Sequence, residues 1–206
     1  MTDGWMGADQ DGSRVRRIGP RLVVAFAALA AILLALVMLW REGAGIERTD
    51  LQIGQTPATL YALPGTEDAP LVVIAHGFAG SRQFMQSFSL TLARAGYVAL
   101  AFDFAGHGDN PVPMSRDVNA IDGTTRMLIE ETNRVIAAGQ ELPAVGEGLA
   151  LVGHSMATDV LVRTAAERDD VDAIAAISMY SEAVSPTAPE RLLMVTGAWE
   201  GQLRDV

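Results

Sequence analysis

The chain has 206 residues, 50% of them hydrophobic, and a formal net charge of −10. That length suits one domain plus an accessory segment, and the acidic balance argues against a nucleic-acid partner, which needs a basic face. Cysteine is absent, which excludes disulfides, thiolate metal sites and a cysteine nucleophile.

Residues 22–40 form an unbroken apolar run without Gly or Pro, opening on Leu22 and closing on Trp40. As a helix rising about 1.5 Å per residue it reaches roughly 28 Å, close to the hydrocarbon thickness of a bilayer. Helices of soluble domains carry a polar stripe, and this run has none. A cleaved signal peptide has a shorter apolar region ending on small residues, whereas this run ends at Trp40-Arg41-Glu42. The segment is therefore expected to be an uncleaved anchor in the lipid bilayer. Arg14, Arg16, Arg17 and Arg21 precede it, and Arg41 and Arg48 follow it. This asymmetry predicts that residues 1–21 are a cytoplasmic tail and that the globular part lies on the extracytoplasmic side.

Residues 41–47, with Gly43-Ala44-Gly45, read as a linker, and a globular domain is expected over 48–206. Residues 48–53 and 58–62 are short strands parted by Gly54 and Pro57. The continuous apolar run over 71–75 suits a strand buried on both faces. Ser81 is placed to cap a helix running to Arg94, with Phe84, Phe88 and Leu92 on one apolar face and Gly96 at its end. Residues 97–102 are the next buried strand. A helix is predicted over 118–138, with Leu128, Val135 and Ile136 inward and Gly139 as its stop. Residues 149–152 read as a strand and 157–168 as a helix with Val160, Leu161 and Thr164 inward. Residues 173–179 and 192–196 are two more strands. Apolar strands alternating with helices imply the α/β class, a mostly parallel sheet with helices on both faces. About a dozen residues separate the last two strands, near the minimum for a parallel crossover, so no long lid fits there.

Gly153-His154-Ser155-Met156-Ala157 joins a buried strand to the helix after it. A strand that presents a serine and turns at once into a helix can expose a nucleophile. Its hydroxyl then needs a base, and its oxyanion needs backbone N–H donors. The plainer alternative is a serine that caps the helix. His76-Gly77-Phe78 follows the strand over 71–75, and Asp103-Phe104-Ala105-Gly106-His107-Gly108 follows the strand over 97–102. An ordinary strand-to-helix turn would account for Gly77 and Gly80 without chemistry.

In this order and strand context, the three motifs resemble those of the serine branch of the α/β-hydrolase family, from about Leu51 onward. The resemblance implies a nucleophile at Ser155 and an oxyanion held by the backbone N–H groups of Phe78 and Met156. Ala157 stands where the family has glycine, and Ala105 where it often has arginine. Asp103 and His107 are implied to build a structural turn. His154 should leave the strand on the face opposite Ser155, and His76 should satisfy local backbone groups. The implied acid is Glu200, after the strand over 192–196, with Glu182 as the alternative. The family's catalytic histidine follows the acid, and no histidine follows Ser155 here. The chain then reads as a fragment of a longer hydrolase or as a degenerate copy. Its last residues look like a helix just begun, which favours the fragment. The implied activity is acyl transfer to Ser155 and then to water, on carboxylic esters or, less favoured, peptides or thioesters. The serine excludes the aspartate nucleophile of dehalogenases and epoxide hydrolases. The rival reading is a binding or scaffolding module that keeps the fold without the triad. No cofactor motif or metal cluster is read from the sequence.

Overall fold

The computed structural model describes residues 19–114, 121–179 and 191–198. The chain divides into two compact units between Arg41 and Glu42. The first is described by helix α1, Pro20–Gly43, in which no residue is buried. It is long and apolar enough to cross a membrane, a test that a signal sequence near the N-terminus also passes. The helix runs past Trp40 to Gly43, into the segment expected to be a linker.

The second unit is built on a seven-stranded sheet in the order β1-β2-β4-β3-β5-β6-β7. The strands are β1 (Glu47–Ile53), β2 (Thr56–Ala62), β3 (Ala69–Ala75), β4 (Val98–Phe102), β5 (Val145–His154), β6 (Ala173–Ile177) and β7 (Leu192–Val195). β2 pairs antiparallel with β1 and β4, and every other pairing is parallel. Each apolar strand serves two cores because successive side chains leave on opposite faces. Leu71, Val73, Leu100 and Leu151 face one core; Val72, Ile74, Ala99 and Val152 face the other. Helices α3 (Arg126–Gln140) and α4 (Met156–Ala166) cover the first core with Leu128, Ile136, Val160 and Leu161. Helix α2 (Gln86–Arg94) covers the second with Leu90 and Ala93. This is the mostly parallel, doubly covered sheet that the alternation of elements implies.

Three local expectations change. Residues 82–85 are turns, and α2 starts at Gln86 after an N-cap Met85 that makes no side-chain cap bond. Ser81 therefore caps no helix. The inward set is Met85, Ser89, Leu90 and Ala93, so Phe84 and Phe88 face solvent. Phe88 precedes the buried Ser89 by one position, which is about 100° around the helix, and Phe84 lies in the turn before it. The helix expected from 118 starts at Arg126, after a segment over Ile121–Thr125 that is kinked at Gly123, whose φ of −99° and ψ of −108° are not helical; residues 115–120 lie outside the described residues. Gly139 does not stop it, since α3 continues to Gln140. A Cβ at Gly139 would meet Leu71 Cδ2 at 2.7 Å and Leu100 Cδ2 at 3.0 Å. Gly139 is thus a point of close approach between α3 and strands β3 and β4.

Gly139→Val should destabilise the domain by about 1–3 kcal/mol through overpacking, although valine is the better helix former. The measurement is the urea midpoint of the chain in detergent; an unchanged midpoint would mean that the two leucines yield without strain.

Candidate active site

Ser155 occupies the single position between the end of β5 and the start of α4, with φ 50° and ψ −119°. A non-glycine residue held in such a region is strained by about 1–3 kcal/mol and persists only when its surroundings fix it. Here the Ser155 N–H donates to the Ile177 carbonyl at 2.9 Å. The Ser155 carbonyl accepts from the Thr158 N–H at 2.9 Å and from Thr158 Oγ1 at 2.6 Å. Ser155 sits at the N-cap position of α4, yet its side chain makes no cap hydrogen bond. The capping role, which was the plain alternative, does not occupy this hydroxyl.

Small residues let the chain turn this tightly. A Cβ on Gly153 would meet Leu161 Cδ1 at 2.8 Å and the Ala157 carbonyl carbon at 3.2 Å. Ala157 is fully buried, so its extra methyl is absorbed into the packing between strand and helix. A Cβ on Gly77 would lie 3.0 Å from Ser155 Cβ and 2.8 Å from His154 Nδ1. The turn after β3 therefore lies directly against the serine. Phe78 is the next residue on that turn, and Met156 opens α4, where backbone N–H groups point away from the helix body.

His76 and His107 are engaged elsewhere. The buried His76 ring has Nδ1 2.8 Å from the Gly77 carbonyl and accepts the Phe104 N–H at Nε2, 3.1 Å away. A carbonyl only accepts and an amide N–H only donates, so Nδ1 carries the proton and the ring is neutral. This matches the local backbone role expected of His76. Burial pushes its pKa down, with the neighbouring His107 adding to the shift and the Gly77 bond opposing it. His107 Nδ1 lies 3.0 Å from the Ala105 carbonyl, and its ring packs on Phe78 and His76 at 5.4 and 5.3 Å. His154 is partly exposed, with its ring 5.7 Å from Phe84. Among the described residues, no hydrogen bond joins any of the three to Ser155.

Asp103 is fully buried. It accepts the Arg82 N–H at 2.6 Å, the Asp109 N–H at 2.9 Å and the Arg82 guanidinium. Arg82 also donates to Thr59 and reaches Asp109 at 3.0 Å. Asp103 and His107 thus build a turn, as the resemblance implies. Sequence reasoning missed Arg82 as the partner and missed Glu131 altogether. Glu131, buried on α3, accepts Thr56 Oγ1 at 2.6 Å, Asn110 Nδ2 at 2.8 Å and the Ala105 N–H at 2.9 Å. A signal existed, because position 131 falls between Leu128 and Val135 at helical spacing on the inward face. Glu200 and Glu182 lie outside the described residues. No group of potential metal ligands occurs among the described residues.

The neutral His76 ring couples folding to pH. The unfolded chain takes up a proton below about pH 6.5, and the folded ring resists it. Stability from this ring is complete above that pH and falls as pH drops below it, at up to about 1.4 kcal/mol per unit. Urea midpoints should therefore fall between pH 7.5 and 5.5, and less steeply in His76→Gln; equal slopes would mean that His76 protonates in place.

A family model described as alpha/beta hydrolase fold matches residues 70–205. No curated protein sequence matches significantly. Among solved structures, a hypothetical protein from Pseudomonas aeruginosa is 20% identical with a TM-score of 0.58, over 66% of this chain and 44% of that one. A membrane phospholipase A, described as a bacterial virulence factor, is 26% identical with a TM-score of 0.51, over 76% and 49%. An epoxide hydrolase from Vigna radiata is 21% identical with a TM-score of 0.50, over 66% and 39%. The chain thus spans less than half the length of these three neighbours. On the family match, and with this sheet and its strand–serine–helix turn, the chain belongs to the α/β-hydrolase fold family.

Proposed function

We propose that this chain is the nucleophile-bearing part of a membrane-anchored serine hydrolase of carboxylic esters, with peptides and thioesters as less favoured substrates. The observation that carries the reading is the Ser155 hydroxyl, free of any capping bond on a strained turn against Gly77. In this mechanism Ser155 Oγ attacks the ester carbonyl carbon while a base takes its proton. The carbonyl π electrons move onto the oxygen, which the N–H groups of Phe78 and Met156 stabilise. Each such donor is worth about 3 kcal/mol of barrier. The C–O bond then breaks, the base returns its proton to the departing alcohol, and water hydrolyses the acyl-serine by the same route. Glu200 is the proposed acid that orients the base, with Glu182 as the alternative. His76 and His107 hold backbone groups, and among the described residues no hydrogen bond joins His76, His107 or His154 to Ser155. Similarity to a membrane phospholipase A supports both the ester chemistry and the membrane setting. α1 is the anchor, with the N-terminus cytoplasmic and the hydrolase unit on the other side.

That no histidine is bonded to Ser155 among the described residues also favours a second reading, a binding or scaffolding module with the fold and no turnover. A fluorophosphonate separates the two. In a longer protein that supplies the histidine, it should label Ser155, and Ser155→Ala should abolish the label. The 206-residue chain alone should hydrolyse short-chain esters far below the ordinary rate of about ten per second. No labelling of the longer protein would favour the scaffold. Ordinary turnover by the short chain would assign the base to one of its own histidines.

The anchor has its own test. The protein should stay in membranes through a carbonate wash, and a reporter active only outside the cytoplasm should work when fused after Val206. Release by the wash or a silent reporter would overturn the anchor and orientation.

A further inference from the structure

Among the described residues, four that are not glycine have positive φ: Asp68, Ala79, Ser155 and Ser178. Asp68 lies before β3. The other three follow β3, β5 and β6, which are neighbours in the sheet. Left-handed backbone thus gathers at the carboxyl ends of the strands around the serine turn. Such a conformation persists only where its surroundings over-determine it. Ser178, with φ 50°, has the most direct line to Ser155. The Ile177 carbonyl accepts the Ser155 N–H at 2.9 Å, and the Ser178 N–H donates to the Val195 carbonyl at 2.8 Å. That carbonyl and that N–H belong to one peptide plane and point in opposite directions. A single rigid unit at the end of β6 therefore bridges β5 to β7. Beyond it Met179 is buried in the first core, so the chain is pinned on that side too.

We propose that Ser178 is a positioning residue for the nucleophile: its left-handed backbone sets the peptide plane that holds the Ser155 N–H. Val195 holds one side of that plane and Met179 fixes the chain after it. The φ of Ser178 reconciles the two. A residue that resists the left-handed region must turn the plane, because Met179 cannot follow without leaving the core. Turning the plane swings the Ile177 carbonyl off the Ser155 N–H. The remaining bonds of Ser155, both from Thr158, bear on its carbonyl side and not on its φ. Glycine and asparagine enter the left-handed region most readily, and β-branched residues are its outliers. The role belongs to the backbone of Ser178 and not to its hydroxyl. Its consequence for turnover rests on the serine-hydrolase reading.

The experiment follows amide hydrogen exchange by NMR in the full chain in detergent micelles, isotope-labelled at serine nitrogen. Ser155→Ala identifies the Ser155 signal. Ser89, whose N–H donates to the Met85 carbonyl at 3.1 Å, is the internal control. Ser178→Val should speed exchange at Ser155 by about tenfold or more and leave Ser89 unchanged. Ser178→Thr, β-branched but still hydroxylated, should follow valine and carries the test if the valine variant does not fold. Ser178→Gly and Ser178→Asn should leave both amides as they are, and so should Ser178→Ala, which drops the hydroxyl. Protection kept at Ser155 in the valine and threonine variants would overturn the proposal. So would exchange that rises equally at Ser155 and Ser89, or unfolding of both β-branched variants, since either makes Ser178 a requirement of the fold alone. Protection lost in Ser178→Ala would move the role to the hydroxyl and overturn it as well. Exchange needs no catalysis. In the longer protein, fluorophosphonate labelling of Ser155 should slow more in Ser178→Val than in Ser178→Gly. Faster exchange at Ser155 in the valine variant, with no labelling of the parent, would sink the hydrolase reading and leave Ser178 holding the turn.

Discussion

The backbone of Ser155 is the constraint on which the site depends. A φ of 50° is unfavourable for a serine, so neighbouring elements must hold it. β6 accepts its N–H through Ile177, and α4 returns Thr158 to its carbonyl twice. Gly153 admits α4, and Gly77 admits the turn after β3. Apart from the two Thr158 bonds, which close the first turn of α4, these contacts join different elements. The turn therefore exists only once β3, β5, β6 and α4 have assembled.

A second layer holds the loops around that turn. Two carboxylates, Asp103 and Glu131, are almost wholly buried. Burying a charge is costly unless it is paired or saturated with hydrogen bonds. Asp103 is paired with Arg82 and accepts two backbone N–H groups. Glu131 accepts three donors, one from Thr56 at the start of β2 and two from Ala105 and Asn110 in the loop after β4. His76 adds a bond from the first loop to the second at Phe104. The residues after β3 and those after β4 are thus braced at both ends of the first loop. Removing one partner would leave the others buried and unmet, so the cluster stands or falls as a unit.

The strands were legible because their signal is strong. Leu71 to Ala75 and Val98 to Phe102 are short apolar runs, and a parallel sheet covered on both faces demands that pattern. The serine turn was legible because its small residues flank a strand end. The polar cluster was not, because its partners lie far apart in sequence; Thr56 and Glu131 are 75 positions apart. Gly139 was misread as a stop because a glycine late in a helix has two uses, and only the position of Leu71 and Leu100 decides between them. The inward face of α2 was misread for a related reason. Hydrophobicity alone put Phe84 and Phe88 inside, while the sheet accepts the smaller set of Ser89, Leu90 and Ala93.

That exchange on α2 separates two kinds of position within one stretch of chain. Arg82, Met85, Ser89 and Ala93 are fixed by what they pack against or bond. Phe84 and Phe88, interleaved with them, face away from the second core. A mutation at an inward position is judged by the fold before it can alter anything else. A mutation at an outward one escapes that filter. The segment can therefore drift in what it presents to the outside without loosening the loop that carries Phe78, and a lineage could vary this surface one codon at a time.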